Sequence, residues 1–400
     1  MSLRATEVRL VAEAHSSKLR LDQVVSALTS TKFTSGSTHN FYLYPARFSP
    51  EIARTVIETF SQPGDYVLDP FMGGGTAIIE GLMLGRSMIG IDINALAHFV
   101  ANTRTRPLSP CDEERIREWA HGTAHCFSDF RPEPLPQVKN LPPTVKLLMG
   151  RALKMAERLP FSRQRAFARC VLLRLGQWAL DCRDHEAPSQ RNLAEKLPML
   201  TDQMLSGLQE FVTRCHEAGL RSNRIVSQRL LLCRNAVGLD QEPKLRDLAA
   251  RPSLVFTSPP YPRVHVLYHR WQVRGRKETP APYWIAQIPD GHYASHYTGG
   301  SRTPTGERNY FSLVRAVFSS VRQVITHDGL VVQLIGFADI DNQLPKYLNA
   351  MADAGFEAWR PAGSQVDRFW RRVPNRKWYA KLKGTVDASS EVLLFHRPRC

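Results

Sequence analysis

The sequence predicts an α/β fold: a doubly wound sheet interrupted by a large α-helical insertion. Three features predict it. A strand, a glycine turn, a helix and a second strand follow one another from Tyr66 to Asn94. The character turns helical between Pro107 and about Arg224, and strand-like apolar runs then return.

Residues 1–35 are polar and mixed, end in a Ser/Thr-rich stretch, and read as an N-terminal arm. Ser49 and Pro50 open a helix with Ile52, Val56, Ile57 and Phe60 at helical spacing, until QPGD breaks it. The strand Tyr66-Val67-Leu68-Asp69 leads into PFMGGGTAIIEGLMLGR and then the apolar SMIGIDIN, which together make a βαβ unit. In the insertion, residues 107–224, Phe167, Val171, Leu175 and Trp178 share one helical face, and RPEPLPQVKNLPP is a proline-rich connector. RLLLCRNAVGL, SLVFTSPPY and GLVVQLIGF restore the sheet pattern, and the closing KWYAKLKGTVDASSEVLLFHRP reads as two strands joined by a polar turn. The main domain therefore comprises 36–106 and 225–400.

A chain of 400 residues that is 43% hydrophobic and 22% charged can bury a sizeable core. Lys and Arg outnumber Asp and Glu by 53 to 37, and the formal charge of +16 favours a polyanionic partner. The seven cysteines form no CxxC pair and no His/Cys cluster at zinc spacing, so neither a metal site nor a disulfide framework is expected. No signal-peptide core and no membrane-length apolar run is present, which predicts a cytoplasmic, nucleoid-associated protein with no membrane contact.

In VLDPFMGGGT, Asp69 ends the first strand and Gly73-Gly74-Gly75 fill the turn into a helix, where glycines permit positive φ and close approach of a ligand. Asp92 ends the second strand, where a carboxylate can accept the ribose hydroxyls of a nucleoside cofactor. An acid ahead of the turn suits a cationic ligand better than a pyrophosphate. Further on, Leu254-Val255-Phe256 stops at Thr257-Ser258-Pro259-Pro260-Tyr261.

DPFMGGGT together with TSPPY resembles the DNA amino-methyltransferases that use S-adenosylmethionine, and the resemblance implies a class I, Rossmann-like methyltransferase fold. It covers roughly residues 39–100 and 225–395. It assigns Asp69, Phe71, Gly73, Gly75, Thr76, Asp92 and Thr257 to the cofactor, and Ser258, Pro259, Pro260 and Tyr261 to catalysis on a flipped base. Serine at the head of the second motif is most similar to the cytosine-N4 branch. HNFYLYPARFSPEI matches upstream segments of similar sequences and puts Tyr44 and Arg47 near the methionine end of the cofactor. Asn235, after its apolar strand, falls where such enzymes bind the adenine edge, a place where Asp is commoner, with an exposed loop asparagine as the alternative reading. The order of cofactor loop, insertion and Ser-Pro-Pro-Tyr is the reverse of that in many cytosine-N4 enzymes. Double-stranded DNA is the implied partner, with a companion restriction endonuclease left open.

The chemistry accounts for the residue types. An exocyclic amine is a poor nucleophile because its lone pair is delocalised into the ring. A Pro-Pro turn has fixed φ and no backbone donors, so the Pro259 carbonyl and the Ser258 hydroxyl can accept from the amine as it becomes cationic. Tyr261 offers a stacking face worth about 1–3 kcal/mol. Methylation at cytosine C5 would need a cysteine nucleophile in a strand-end loop, and Pro110-Cys111 lies outside one.

Residues 263–310 carry seven Arg or Lys against three acids, interleaved with aromatic rings. Arg263, Arg270, Trp271, Arg274, Arg276 and Lys277 here, with Arg371, Arg372, Arg376 and Lys377 in a second basic-aromatic run, are the expected nucleic-acid contacts. Either run could instead be a surface loop anchored by its rings. Adenine-N6 methylation, RNA methylation and non-catalytic nucleic-acid binding stand as alternatives to cytosine-N4 methylation of DNA. The insertion could be a target-recognition region or a packing module.

Overall fold

The computed structural model describes residues 20–30, 36–43, 49–127, 136–181, 187–262, 265–266, 270–273, 277–289, 297–298, 303–373 and 389–399. Strands β1 (Tyr66–Asp69), β2 (Ser87–Asp92) and β3 (Arg229–Cys233) run parallel on one side. β4 (Leu254–Thr257) pairs parallel with the other edge of β1, and β5 (Leu330–Gly336) continues outward, also parallel. The remaining strands of this sheet are β6 (Phe356–Ala358), β7 (Arg368–Val373) and the long β8 (Ser389–Pro398). β8 runs antiparallel beside β5, and β6 and β7 lie along its outer edge.

The resulting order β6-β8-β5-β4-β1-β2-β3 is that of the doubly wound, Rossmann-like sheet the sequence predicts: mostly parallel, with one antiparallel strand inserted near an edge. The order reverses between β1 and β4. In such sheets the crevice beyond the carboxyl ends of the two diverging strands is where ligands bind.

Strands buried on both faces read as continuous apolar runs, and here alternate residues feed two cores. Val67, Met88, Leu254, Phe256, Val332 and Leu393 face one core. Leu68, Ile89, Val255, Val331 and Val392 face the other, beneath α9 (Pro304–Val324) and α10 (Ile340–Asp353). The helices that flank the βαβ unit, α2 (Pro50–Phe60), α3 (Thr76–Met83) and α4 (Ala95–Arg104), belong to the first face.

Four helices fill most of the insertion: α5 (Pro110–Cys126), α6 (Pro143–Ala156), α7 (Ser162–Leu180) and α8 (Gln190–Glu217). Their buried residues, such as Leu172 and Phe211, join the same core as Val67 and Met88, so the insertion is continuous with the sheet rather than a separate globule. The expected arm also needs correction: residues 20–29 are a helix, α1, with Val24, Ala27 and Leu28 inside that core. Apolar positions three and four apart win over a polar composition. At the far end, β8 pairs with the upstream β7, and residues 374–388, where a strand and polar turn are expected, lie outside the described chain.

Trp271, in the short hairpin Trp271–Val273 with Lys277–Thr279, stands against α7 where Gly176 has no side chain. A Cβ at Gly176 would come within 2.4 Å of that ring. Gly176→Ala should therefore lower stability by about 1–3 kcal/mol in denaturant unfolding through overpacking. An unchanged midpoint would show that the insertion and hairpin do not share a core.

Candidate active site at the carboxyl ends of β1 and β4

β1 and β4 end side by side, and their last side chains are joined: Thr257 Oγ1 donates to Asp69 Oδ1 at 2.6 Å. Both residues are fully buried. The Phe71 N–H donates to the same carboxylate oxygen at 3.1 Å. Asp69 Oδ2 is buried with no hydrogen-bond partner among the described residues. Burial pushes the Asp69 carboxyl up to about 7, against the opposing effect of those two donors. The hydroxyl of Thr257, a residue expected at the cofactor, donates its hydrogen to this latch.

The turn that follows Asp69 is tied to β2. Met72 N donates to the Ile91 carbonyl at 3.0 Å, and Gly73 N donates to Asp92 Oδ2 at 2.9 Å. Asp92 Oδ1 accepts from Asn94 N at 2.8 Å. Burial raises the Asp92 carboxyl to about 6. Each oxygen keeps a second lone pair, so the ties leave acceptor capacity for a ligand. Gly75 sits at φ +80, and a Cβ there would meet the Ala101 Cβ at 2.9 Å; at Gly73 a Cβ would meet nothing within 4 Å. The open side of the turn is therefore at Gly73. On the Gly75 side the turn packs closely against Ala101, and Thr76 is buried. Phe71 is half-buried, its ring 6.5 Å from Phe318 on α9.

Arg104, at the end of α4 and fully buried, holds the back of the turn. It donates to the carbonyls of Gly74, His39 and Tyr42, which joins the turn to residues 36–43. The same lead-in is fixed by a buried His39 to Glu80 contact at 2.7 Å, with Arg54 on the other Glu80 oxygen at 2.8 Å. The amide of Gln177, on α7, closes both backbone bonds of Leu43, at 2.9 and 2.8 Å. Tyr44 and Arg47, the next candidates, lie outside the described residues.

Beyond β4, Tyr310 on α9 donates its hydroxyl to the Pro260 carbonyl at 2.8 Å. Tyr261 donates to Glu391 Oε1 at 2.7 Å. Among the described residues no hydrogen bond engages the Ser258 hydroxyl or the Pro259 carbonyl. These two acceptors stand on the loop whose root is latched to the glycine turn. Asn235 is exposed, and its side-chain carbonyl accepts from Val237 N at 2.9 Å within its own turn.

The basic residues divide. Trp271 is 1% exposed and donates to the Tyr42 hydroxyl at 3.0 Å, so it is a core residue and not a surface for bases. Arg371 is 7% exposed and paired with Glu391 at 3.1 Å, so it too is withdrawn from phosphates. Cation counts along a segment carry no information about which side of a strand each residue faces. Arg372 and Lys277 are exposed and Arg270 is half-buried. Trp370, absent from the expected contacts, is 47% exposed beside Arg372. Arg263, Arg274, Arg276, Arg376 and Lys377 lie outside the described residues. Among the described residues, no cluster of three or more His, Cys, Asp or Glu could hold a metal ion, and no helix is long and apolar enough to cross a membrane.

Residues 19–102, from α1 to α4, match the DNA methylase family of N6 and N4 methyltransferases. The chain is 38% identical over 80 residues to the Type II methyltransferase M.MvaI of Kocuria varians, covering 19% of this chain and 18% of that protein. It is 44% identical over 63 residues to the Type II methyltransferase M.BsoBI of Geobacillus stearothermophilus, covering 16% and 12%. The matched part thus spans less than a fifth of either relative. The rRNA methyltransferase aviRa of Streptomyces viridochromogenes aligns over 92% of both chains at 10% identity, with a TM-score of 0.30, too weak to bear on fold or substrate.

The raised carboxyls fix a pH dependence. The folded protein keeps a proton on Asp69 that the unfolded chain releases near 3.8, so this contribution to stability is full at acid pH and lost as pH rises through about 7. Asp92 acts with the same sign, its contribution being lost through about 6. Asp69→Asn keeps an acceptor for Thr257 and should flatten the fall in stability, with an advantage over the parent that grows with pH. Equal slopes in urea unfolding across that range would contradict the buried, protonated carboxyl.

Proposed function

We propose that the chain methylates the exocyclic amine of a flipped base in double-stranded DNA, with S-adenosylmethionine as cofactor and cytosine N4 as acceptor. The observation that carries this reading is the Thr257–Asp69 hydrogen bond, which latches the glycine turn and the Ser-Pro-Pro-Tyr loop to each other at the sheet's switch point. S-adenosylmethionine, when bound, supplies a methyl group on a cationic sulfonium.

The residues fit such a cofactor. Asp92 retains lone pairs for ribose hydroxyls, Gly73 leaves open space, and the unpartnered Asp69 oxygen favours a positively charged ligand. Phe71 lines the turn, and Tyr44, Arg47 and Asn235 complete the proposed cofactor contacts. Ser258 and the Pro259 carbonyl accept from the amine, which localises its lone pair and stabilises the positive charge that develops on nitrogen. Pro260 holds the loop through Tyr310. Tyr261 stacks on the base.

Arg372, Lys277 and Arg270, with Arg263, Arg274, Arg276, Arg376 and Lys377, neutralise DNA phosphates, and the exposed Trp370 offers a ring to an unstacked base. The relatives' designation as Type II methyltransferases supports a place in restriction–modification, alongside a companion endonuclease. Cytosine rather than adenine rests on the serine that heads the loop.

Labelled-methyl transfer to duplex DNA and to total RNA tests the substrate, with incorporation expected in DNA alone. Ser258→Ala and Tyr261→Ala should lower turnover by roughly 10²-fold while keeping cofactor affinity. Asp92→Ala should weaken cofactor binding in calorimetry by about 1.5–3 kcal/mol, as expected for lost bonds to a charged group. Wild-type cofactor affinity in Asp92→Ala would overturn the ribose assignment. Arg372→Glu should weaken DNA binding across sequences and reduce its salt dependence, and an unchanged salt slope would remove that residue from the interface.

A further inference from the structure

One row of residues crosses three neighbouring strands behind the Ser-Pro-Pro-Tyr loop. Gly336 of β5 is directly opposite Glu391 of β8, and Glu391 is directly opposite Arg371 of β7. The Tyr261 ring lies against this row where Gly336 has no side chain, since a Cβ there would be 2.8 Å from the ring. The Tyr261 hydroxyl reaches Glu391 Oε1 at 2.7 Å, while Arg371 holds Glu391 Oε2 at 3.1 Å. Glu391 and Arg371 are 9% and 7% exposed.

A buried ion pair repays its desolvation only with good geometry and additional hydrogen bonds, and is weak evidence of a stabilising role. Here the additional bond is to the tyrosine of the proposed catalytic loop. We propose that Glu391 and Arg371 are positioning residues that clamp the Tyr261 ring in the orientation needed to receive the base, an inference that rests on the methyltransfer reading for its catalytic consequence. Arg371 orients the Glu391 carboxylate, Glu391 fixes the Tyr261 hydroxyl, and Gly336 provides the space for the ring. The ring is thereby set before the base arrives, and the cost of ordering it is not charged to the reaction.

Tyr261→Phe removes the clamp's hydrogen bond and leaves the ring and ion pair in place. In methyl transfer to unmodified phage DNA it should lower kcat about tenfold with cofactor affinity unchanged. Glu391→Gln keeps a carbonyl acceptor for the hydroxyl and should remain within about threefold of the parent, whereas Glu391→Leu should fall as far as Tyr261→Phe. The Tyr261→Phe/Glu391→Leu double variant should be no slower than either single one. Full kcat in Tyr261→Phe, or multiplying losses in the double variant, would overturn the clamp. A second measurement is independent of substrate. In urea unfolding, Tyr261→Phe and Glu391→Leu, which each remove the clamp's hydrogen bond, should be non-additive, and additive losses would overturn the clamp whatever the protein methylates. Non-additive stability in a parent that binds cofactor but methylates no DNA would uphold the clamp and refute the reading on which its catalytic role rests.

Discussion

A single buried hydrogen bond, from the Thr257 hydroxyl to the Asp69 carboxylate, sets the relation between the two halves of the site. β1 and β4 are neighbours, but the chain leaves them in different directions, into α3 on one side and into the Ser-Pro-Pro-Tyr loop on the other. The tie between their last residues adds to the ladder that pairs the two strands and fixes the two exits against each other. The tie buries an acid, and burial raises its pKa to near neutral. A carboxyl so poised, with one oxygen unpartnered, suits a cationic ligand whose charge would draw it into the ionised form.

The insertion serves the same arrangement from outside the sheet. α7 supplies Gln177 to the backbone of Leu43 and the space at Gly176 for Trp271. α8 supplies Glu210, which accepts from Ser37 N at 2.8 Å. The helices thus brace both the lead-in that Arg104 ties to the glycine turn and the hairpin that follows the Ser-Pro-Pro-Tyr loop. Their shared core with β1 and β2 makes the insertion a structural support of the site.

Much of this was legible in the residues. Strand, glycine turn, helix and strand follow from apolar runs and glycine placement, and an apolar run halted by two prolines identifies a strand-end loop. Side-chain facing was not legible. Trp271 and Arg371 sit in segments crowded with cations, yet alternation along a strand sends one neighbour out and the next one in, as Arg371 and Arg372 show. Arg104 looks like an ordinary cation at a helix C-terminus, and Glu391 like the solvent side of a strand. Their partners are distant in sequence, and no local pattern announces them. α1 was hidden by polar neighbours, although Leu21, Val24 and Leu28 carried the helical spacing.

In the proposed reaction the latched turns bring a methyl donor to the amino nitrogen of a base. Mass spectrometry of nucleosides from duplex DNA incubated with the protein and S-adenosylmethionine bearing a deuterated methyl group tests it most directly. The heavy methyl is expected on the N4 amino group of cytosine. The heavy methyl on carbon C5 of cytosine, or in none of the DNA nucleosides, would contradict it.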